Sequence, residues 1–412
     1  MTTSTLALPL PFSRYQKSVV GMLAFLQFAV ILDFMLMSPL GAMIMPALAI
    51  EPRQFGLVVS AYAFSAGISG LLTAGFADRF DRKRLLLFFY TGFILGTLWC
   101  GLAQTFESLL IARIVTGLFG GVIGSIVLAI STDLFPPQMR GRVMGFIQTA
   151  FAASQVLGIP IGLYLSNRWD WHFPFLAMAA LGLAGGLFVS WRMEPVVEHL
   201  RIPQERSPWM HLLHTLVEPR YLMAFAATAF LTTGGFMLMP FSSAFVVNNL
   251  GIDLHHLPTV YLVTGLSTIV FGPLIGRAAD ALGKFRVFMI GTALSIVMVL
   301  VYTHLGAFGP IGLVGLVVVN SVMFVGIFSR MIPFQAMVSS VPATQQRGSF
   351  NAISASIQQL SGGIASVVAG HIVSFGADGR LQHFEVIGYV IVGTSLAGLL
   401  LVWRLWRRAA AA

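Results

Sequence analysis

Charge is what this chain has least of. Lys, Arg, Asp and Glu together make 9% of its 412 residues, against about 25% in an ordinary soluble domain. A water-facing surface of this length cannot be built from so few, and lipid must cover the rest. Carboxylates are scarcer still, 15 against 24 basic groups. Cysteine occurs once, as Cys100, in an apolar segment; this excludes a disulfide framework or a cysteine-based metal site and leaves a small buried side chain. The Gly-x-x-x-x-Gly-Lys loop that cradles nucleotide phosphates is missing, so ATP drive is not expected. No nucleophile with a base and no metal cluster share one depth, which argues against an enzyme. No cofactor is implied. His255 and His256 lack a carboxylate or cysteine at metal-binding spacing and are read as solvated.

What the chain does have is hydrophobic length. Apolar residues make up 57% of it. A helix crosses the hydrocarbon core with about 20 predominantly apolar residues, and Gly or Pro inside such a run does not exclude spanning. Twelve spans are predicted on this basis, near 18–46, 54–78, 84–103, 106–134, 140–166, 171–193, 220–247, 257–280, 285–305, 310–341, 347–375 and 384–406. The first run is too long for a cleaved signal peptide and is read as a retained helix. The connections are short except for "EPVVEHLRIPQERSPWMHLLHTLVEP". That segment divides the spans six and six. The expected organisation is an N-terminal six-helix bundle over 1–193, a cytoplasmic linker over 194–219 and a C-terminal six-helix bundle over 220–412. Within the linker, "WMHLLHTLVEPR" is a candidate interfacial amphipathic helix.

Orientation follows from the basic residues. With the N-terminus inside, nineteen of the 24 Lys and Arg fall on the cytoplasmic side, only Arg53, Arg168 and Arg380 fall outside, and Arg113 and Arg330 lie within spans. Both termini are therefore expected to be cytoplasmic. The formal charge of +9 has the same origin, so a nucleic-acid partner is not expected.

The tetrapeptide "FMLM" occurs at 34–37 and again at 236–239, each time with a proline close behind, Pro39 and Pro240. The loops "AGFADRFDRKRLLL" and "GRAADALGKFRVFM" align Asp78 with Asp280 at the same offset of 202, and "RGRVMGF" at Arg140 aligns with "RGSFNAI" at Arg347 at an offset of 207. Three matches in one order mark an internal duplication. Two six-helix halves in the same orientation, related by an axis along the membrane normal, form a transporter layout with the solute site at the midplane between them.

Two in-span charges stand out before any relative is considered. Asp33, in "VILDFMLMSP", is the one carboxylate deep in a span, and an ionisable group at that depth costs several kcal/mol unless paired or hydrated. It is either functional or a tie between two helices. Counting along the spans, Arg113 can reach a similar depth. An arginine beside a carboxylate favours its charged form and burial away from it favours the neutral form, so a motion that changes their contact can load and unload a proton. Arg330, in "GIFSRMIPFQAM", is expected near midplane, about a dozen residues before the cytoplasmic end of its span. It either bonds carbonyls freed by Pro333 or faces the cavity. If both arginines face inward, positive charge exceeds negative and an anionic or zwitterionic solute is favoured over a cationic drug.

The loop "GFADRFDRKR" and the segment "ARIVTGLFGG" resemble the signatures of the major facilitator superfamily, over essentially the whole chain. Asp81 stands where many members have glycine. The resemblance implies that helices one, four, seven and ten line a central cavity. Some drug/proton antiporters of the superfamily carry a membrane-embedded Asp in helix one and an Arg in helix four that match Asp33 and Arg113. Where similar pumps carry a second acid nearer the cytoplasm, this chain has Gln27, leaving Asp33 as the sole expected proton carrier. Gly75, Asp78, Arg79, Arg82, Asp133 and Arg142 match a cytoplasmic charge network, with the helix-two Asp near the N-terminus of helix eleven; positive-inside topology alone is the competing account of the arginines. Gly158, Pro160 and Gly162 keep only fragments of the helix-five antiporter pattern.

The expected protein is thus an all-α integral membrane transporter of the inner membrane, monomeric, whose partners are a small-molecule solute, protons and the bilayer. The leading reading is proton-coupled export of a small organic solute or drug by alternating access. The alternative is an importer or facilitator of an anionic metabolite, and a non-transporting receptor comes third.

Overall fold

No water in the hydrocarbon can bond a free amide, so a chain this apolar satisfies its backbone within helices. The computed structural model describes residues 12–73, 76–201, 208–307, 309, 311–342 and 346–411. Twelve helices long and apolar enough to cross a membrane occur in it. The first six are α1 (Arg14–Met37), α2 (Pro52–Thr73), α3 (Arg82–Cys100), α4 (Phe106–Leu134), α5 (Pro137–Arg168) and α6 (Phe173–Arg192). The second six are α7 (Pro219–Asn248), α8 (Leu257–Leu282), α9 (Lys284–Thr303), α10 (Leu313–Val338), α11 (Arg347–Ile372) and α12 (Phe384–Ala411).

Local chemistry sets several of these ends. Ser13 caps α1 in a reciprocal box with Gln16, Asp81 caps α3 by accepting from the Lys83 amide at 3.0 Å, and Thr105 caps α4. The expected first span is interrupted. α1 stops at Met37, Ser38 to Leu40 form a turn around Pro39, and a short helix restarts at Gly41–Ala47. Pro39 has no amide proton for an intrahelical bond, which disfavours continuation. The second span ends at Thr73, earlier than expected, followed by a single 3₁₀ turn at Ala77–Arg79. α5 contains one π-helical turn at Ser154–Gly158 just before Pro160, and a two-stranded antiparallel hairpin, Ser374–Phe375 with Leu381–Gln382, precedes α12. None of these four features was expected.

The packing shows where the halves meet. One apolar core runs across both halves at the end away from the termini, joining Leu32, Leu36 and Phe55 to Met237, Phe241 and Phe245. At the end carrying the termini, the halves have largely separate cores, one around Leu23, Leu86 and Ile126 and one around Phe225, Phe288 and Phe350, the second with Leu71 of α2 packed against it. Ser243 of α7 reinforces the fused end, its hydroxyl donating to the Ser38 carbonyl and accepting from the Ala42 amide, both at 3.3 Å. Asn167 at the end of α5 donates to the Leu254 carbonyl at 3.0 Å. The two halves are joined at one end and splayed at the other.

The segment between α6 and α7 holds a 3₁₀ turn at Glu198–Arg201 and a helix at Pro208–Val217, where the interfacial helix was expected. Its first part is stitched to the first half. Asp81 accepts from the Val196 amide at 2.9 Å, Val196 in turn accepts from the Arg82 amide, and the Lys83 ammonium donates to the Ser190 carbonyl at the end of α6.

Candidate functional site

Between the splayed halves lies a cavity of about 1250 Å³. Its wall reaches Ala77, Arg82, Thr132, Leu212 and Gly348 at the termini end, while none of the described loops at the opposite end contributes to it. The cavity therefore opens at the termini end. α1, α4, α7 and α10 all line it, with contributions from α2, α5, α8 and α11.

Behind the wall on the N-terminal side sits an enclosed ion pair. Asp33 and Arg113 are both 0% exposed, with Arg113 Nη1 donating to Asp33 Oδ2 at 2.7 Å. The other carboxylate oxygen accepts from the Thr97 hydroxyl at 3.0 Å. The Arg113 guanidinium lies 4.5 Å from the centroid of the Tyr62 ring, a contact worth about 2 kcal/mol when desolvated. Its Nε and Nη2 have no acceptor among the described residues. Cys100, also fully buried as expected, lies 3.7 Å from the Thr116 hydroxyl beside the pair.

Glycines make this convergence possible. A Cβ on Gly117 would lie 2.4 Å from the Tyr62 carbonyl oxygen and 2.2 Å from Ser65 Oγ, so α4 comes against α2 only with glycine there, which sets Tyr62 over Arg113. A Cβ on Gly96 would lie 2.8 Å from the Thr116 amide nitrogen, so α3 approaches α4 in the same way and carries Thr97 to Asp33.

Neither Asp33 nor Arg113 lines the cavity; Tyr62 and Phe34 do. Tyr62 is 5.2 Å from Phe34 between ring centroids, and Phe34 is 5.5 Å from Phe236. The two phenylalanines of the repeated FMLM meet across the interface and, with Tyr62, lie between the ion pair and the open space.

Arg330 lines the cavity from the other half and is 5% exposed. The helix ends at Val338, so Arg330 lies about two turns from the termini end of α10, rather than the expected dozen residues. Among the described residues, no carbonyl freed by Pro333 accepts from it. Its one hydrogen bond among the described residues is a long 3.4 Å contact from Nη1 to Ser295 Oγ, and its Nε has no acceptor.

At the termini end, Arg82 pairs with Asp133 at 3.1 Å and also donates to the Ala77 carbonyl. His199 of the segment after α6 lies 3.5 Å from the same Asp133 carboxylate and 3.1 Å from the Phe80 carbonyl. Arg142 stacks over Phe12 at 4.5 Å, and Arg79 is exposed. Gly75 and the Asp78 side chain lie outside the described residues, and with them the expected contact to α11. Thr97, Tyr62 and His199 were not singled out from sequence. A lone Thr or Tyr in an apolar span carries no spacing signal; its partner is known only once the helices are packed.

Comparison with known proteins places this chain among transporters. The profile of the Major Facilitator Superfamily matches residues 23–366 and, in a second overlapping match, 224–411. An uncharacterized MFS-type transporter, YceJ of Bacillus subtilis (strain 168), is 26% identical over 360 residues, covering 86% of this chain and 88% of that protein. Multidrug resistance protein 3 of the same organism is 31% identical over 146 residues, which is 35% of this chain and 28% of that protein. Among solved structures, a variant of the nucleoside transporter NupG superposes with a TM-score of 0.76 at 15% identity, covering 94% of this chain and 99% of that one.

Proposed function

The chain belongs to the Major Facilitator Superfamily of transporters, and we propose that it couples proton movement to export of a small organic solute. The observation that carries this reading is the enclosed Asp33–Arg113 pair, held by Thr97 and Tyr62 directly behind the cavity wall. A buried carboxylate with one arginine partner has two stable conditions: ionised against the arginine, or protonated with the arginine engaged elsewhere. Neutralising Asp33 while Arg113 stays enclosed leaves an uncompensated buried cation, at a cost of about 3–5 kcal/mol. Protonation must therefore be accompanied by a rearrangement that gives Arg113 water or another acceptor. Nε and Nη2, which have no acceptor among the described residues, are the groups that gain one. Because Tyr62 and Phe34 separate the pair from the cavity and Phe34 touches Phe236, such a rearrangement moves the surface on which the halves meet. That is the coupling.

The end carrying the termini is taken as cytoplasmic because nineteen of 24 basic residues cluster there. The cavity then faces inward, ready to load a solute for export. Segments 1–193 and 220–412 act as the two moving bodies, tethered by 194–219, in a monomer of the inner membrane. The name of the partial relative, a multidrug resistance protein, supports efflux. A second reading, facilitated passage of an anionic metabolite, draws on Arg330, which has no acid partner among the described residues.

The test is flux in proteoliposomes under an imposed pH gradient, scanning radiolabelled candidate solutes against the unaltered chain and Asp33→Asn. Solute accumulation that follows the gradient and disappears in the variant is expected. Flux that ignores the gradient and survives in Asp33→Asn would replace coupled export with facilitation.

A further inference from the structure

Nothing described in the cavity wall can neutralise a positively charged solute. Its charged lining residues are Arg330 and, at the rim, Arg82; no Asp or Glu lines it among the described residues. The nearest candidate, Asp33, is enclosed with both carboxylate oxygens engaged by Arg113 and Thr97. Arg330 is in the opposite condition. It is almost fully buried, faces the cavity, touches Ser295 at a long 3.4 Å and leaves Nε without an acceptor.

A guanidinium in that position is stable only with a counter-anion or water, and its planar fork fits the two oxygens of a carboxylate, sulfonate or phosphate. Among the described residues the wall supplies no such anion: Asp33, the only carboxylate deep in a span, already has its arginine. The acceptor for Arg330 therefore comes from water or from the solute, and an anionic group on the solute supplies both the acceptor and the countercharge. The cavity-facing stripe of α10 runs Leu316, Asn320, Met323, Ile327 and Arg330, so the cation stands at the end of an otherwise largely apolar track.

We propose that the cavity takes an apolar-bodied organic monoanion, its acid group held by Arg330 with the Ser295 hydroxyl as a further donor and its body lying along Met323 and Ile327. This names the solute class for the transport reading above and rests on it. It gives the halves different tasks, with the proton handled by the first and the charge of the solute by the second.

The test is calorimetric titration of the full chain in phosphatidylcholine nanodiscs with three probes of one shape: naphthoate, naphthylmethylammonium and naphthylmethanol. Naphthoate is expected to bind about ten- to hundredfold more tightly than the ammonium compound, the range of one charged hydrogen-bonded contact. Arg330→Gln should bring the two within about threefold of each other, and Arg330→Lys should keep part of the preference, because it retains the charge and loses the fork. Thermal unfolding and gel filtration show that each variant is folded. Preference for the ammonium, absence of naphthoate binding at millimolar concentration, or a preference unchanged in folded Arg330→Gln would overturn the proposal. If phosphatidylglycerol in the nanodisc displaces naphthoate from the unaltered chain, the site belongs to a lipid headgroup and the solute assignment falls. Proton release is scored separately, at a pH low enough for Asp33 to start protonated: naphthoate bound through Arg330 without release would overturn the coupling reading and leave the anion site standing.

Discussion

Asp33 and Gly235 occupy the same place in the two halves, each immediately before a copy of FMLM. In the first half the acid is paired with Arg113, braced by Thr97 and shut behind Tyr62. In the second half there is no acid at that place, and the buried cation, Arg330, comes from α10 and looks into the cavity with one long contact to Ser295. The two copies of the repeat carry their charges unequally. A paired, enclosed charge suits a switch, because its cost rises sharply when one partner is neutralised. An unpaired one suits recognition, because its missing partner is supplied from outside.

The comparison breaks most readily at Arg113. Arg113→Met should lower unfolding stability by about 3–5 kcal/mol, since Asp33 would be left buried and alone. Adding Asp33→Leu to that variant should recover most of the loss while transport stays uncoupled, and denaturant titration in detergent measures both. Failure of the double variant to recover would mean that the surrounding packing, not the unpaired charge, is what the single change damages. Next in size is Gly117→Ala, where the new methyl group meets Tyr62 backbone at 2.4 Å. Forcing α2 and α4 apart should cost about 1–3 kcal/mol and lift Tyr62 off Arg113, read as a lower unfolding temperature and faster hydrogen exchange in α2. Thr97→Val removes one charge-assisted hydrogen bond and should cost about 2 kcal/mol by the same titration. The smallest effect is expected at Arg330→Gln, within about 1 kcal/mol of the unaltered chain, because no partner is orphaned. Equal losses at Arg113 and Arg330 would erase the distinction between the halves.

Most of the architecture could be read before the helices were packed, for a physical reason: the hydrocarbon demands long apolar runs, and those runs are visible in order. Asp33, Arg113 and Arg330 were visible for the same reason, since a charge inside such a run is costly wherever it lies. Their surroundings were not. Thr97 and Tyr62 reach the pair only because Gly96 and Gly117 let three helices close on one point, and that convergence leaves no periodic trace in the chain. The turn at Ser38 to Leu40 and the π turn at Ser154–Gly158 change element ends by a few residues, below what composition resolves even with Pro39 and Pro160 in view. Asp81 shows the limit from the other side. Read as a departure from a signature, it caps α3 and holds the Val196 amide, so its carboxylate has a local structural task.

The central claim, that Asp33 carries the coupling proton, is tested most directly by proton release from the purified chain in weakly buffered detergent solution, followed with a pH indicator as naphthoate is added. At a pH low enough for Asp33 to start protonated, the unaltered chain should release protons in proportion to the naphthoate bound, and Asp33→Asn should bind without release. Release of the same size from Asp33→Asn, or binding to the unaltered chain with no release, would contradict it.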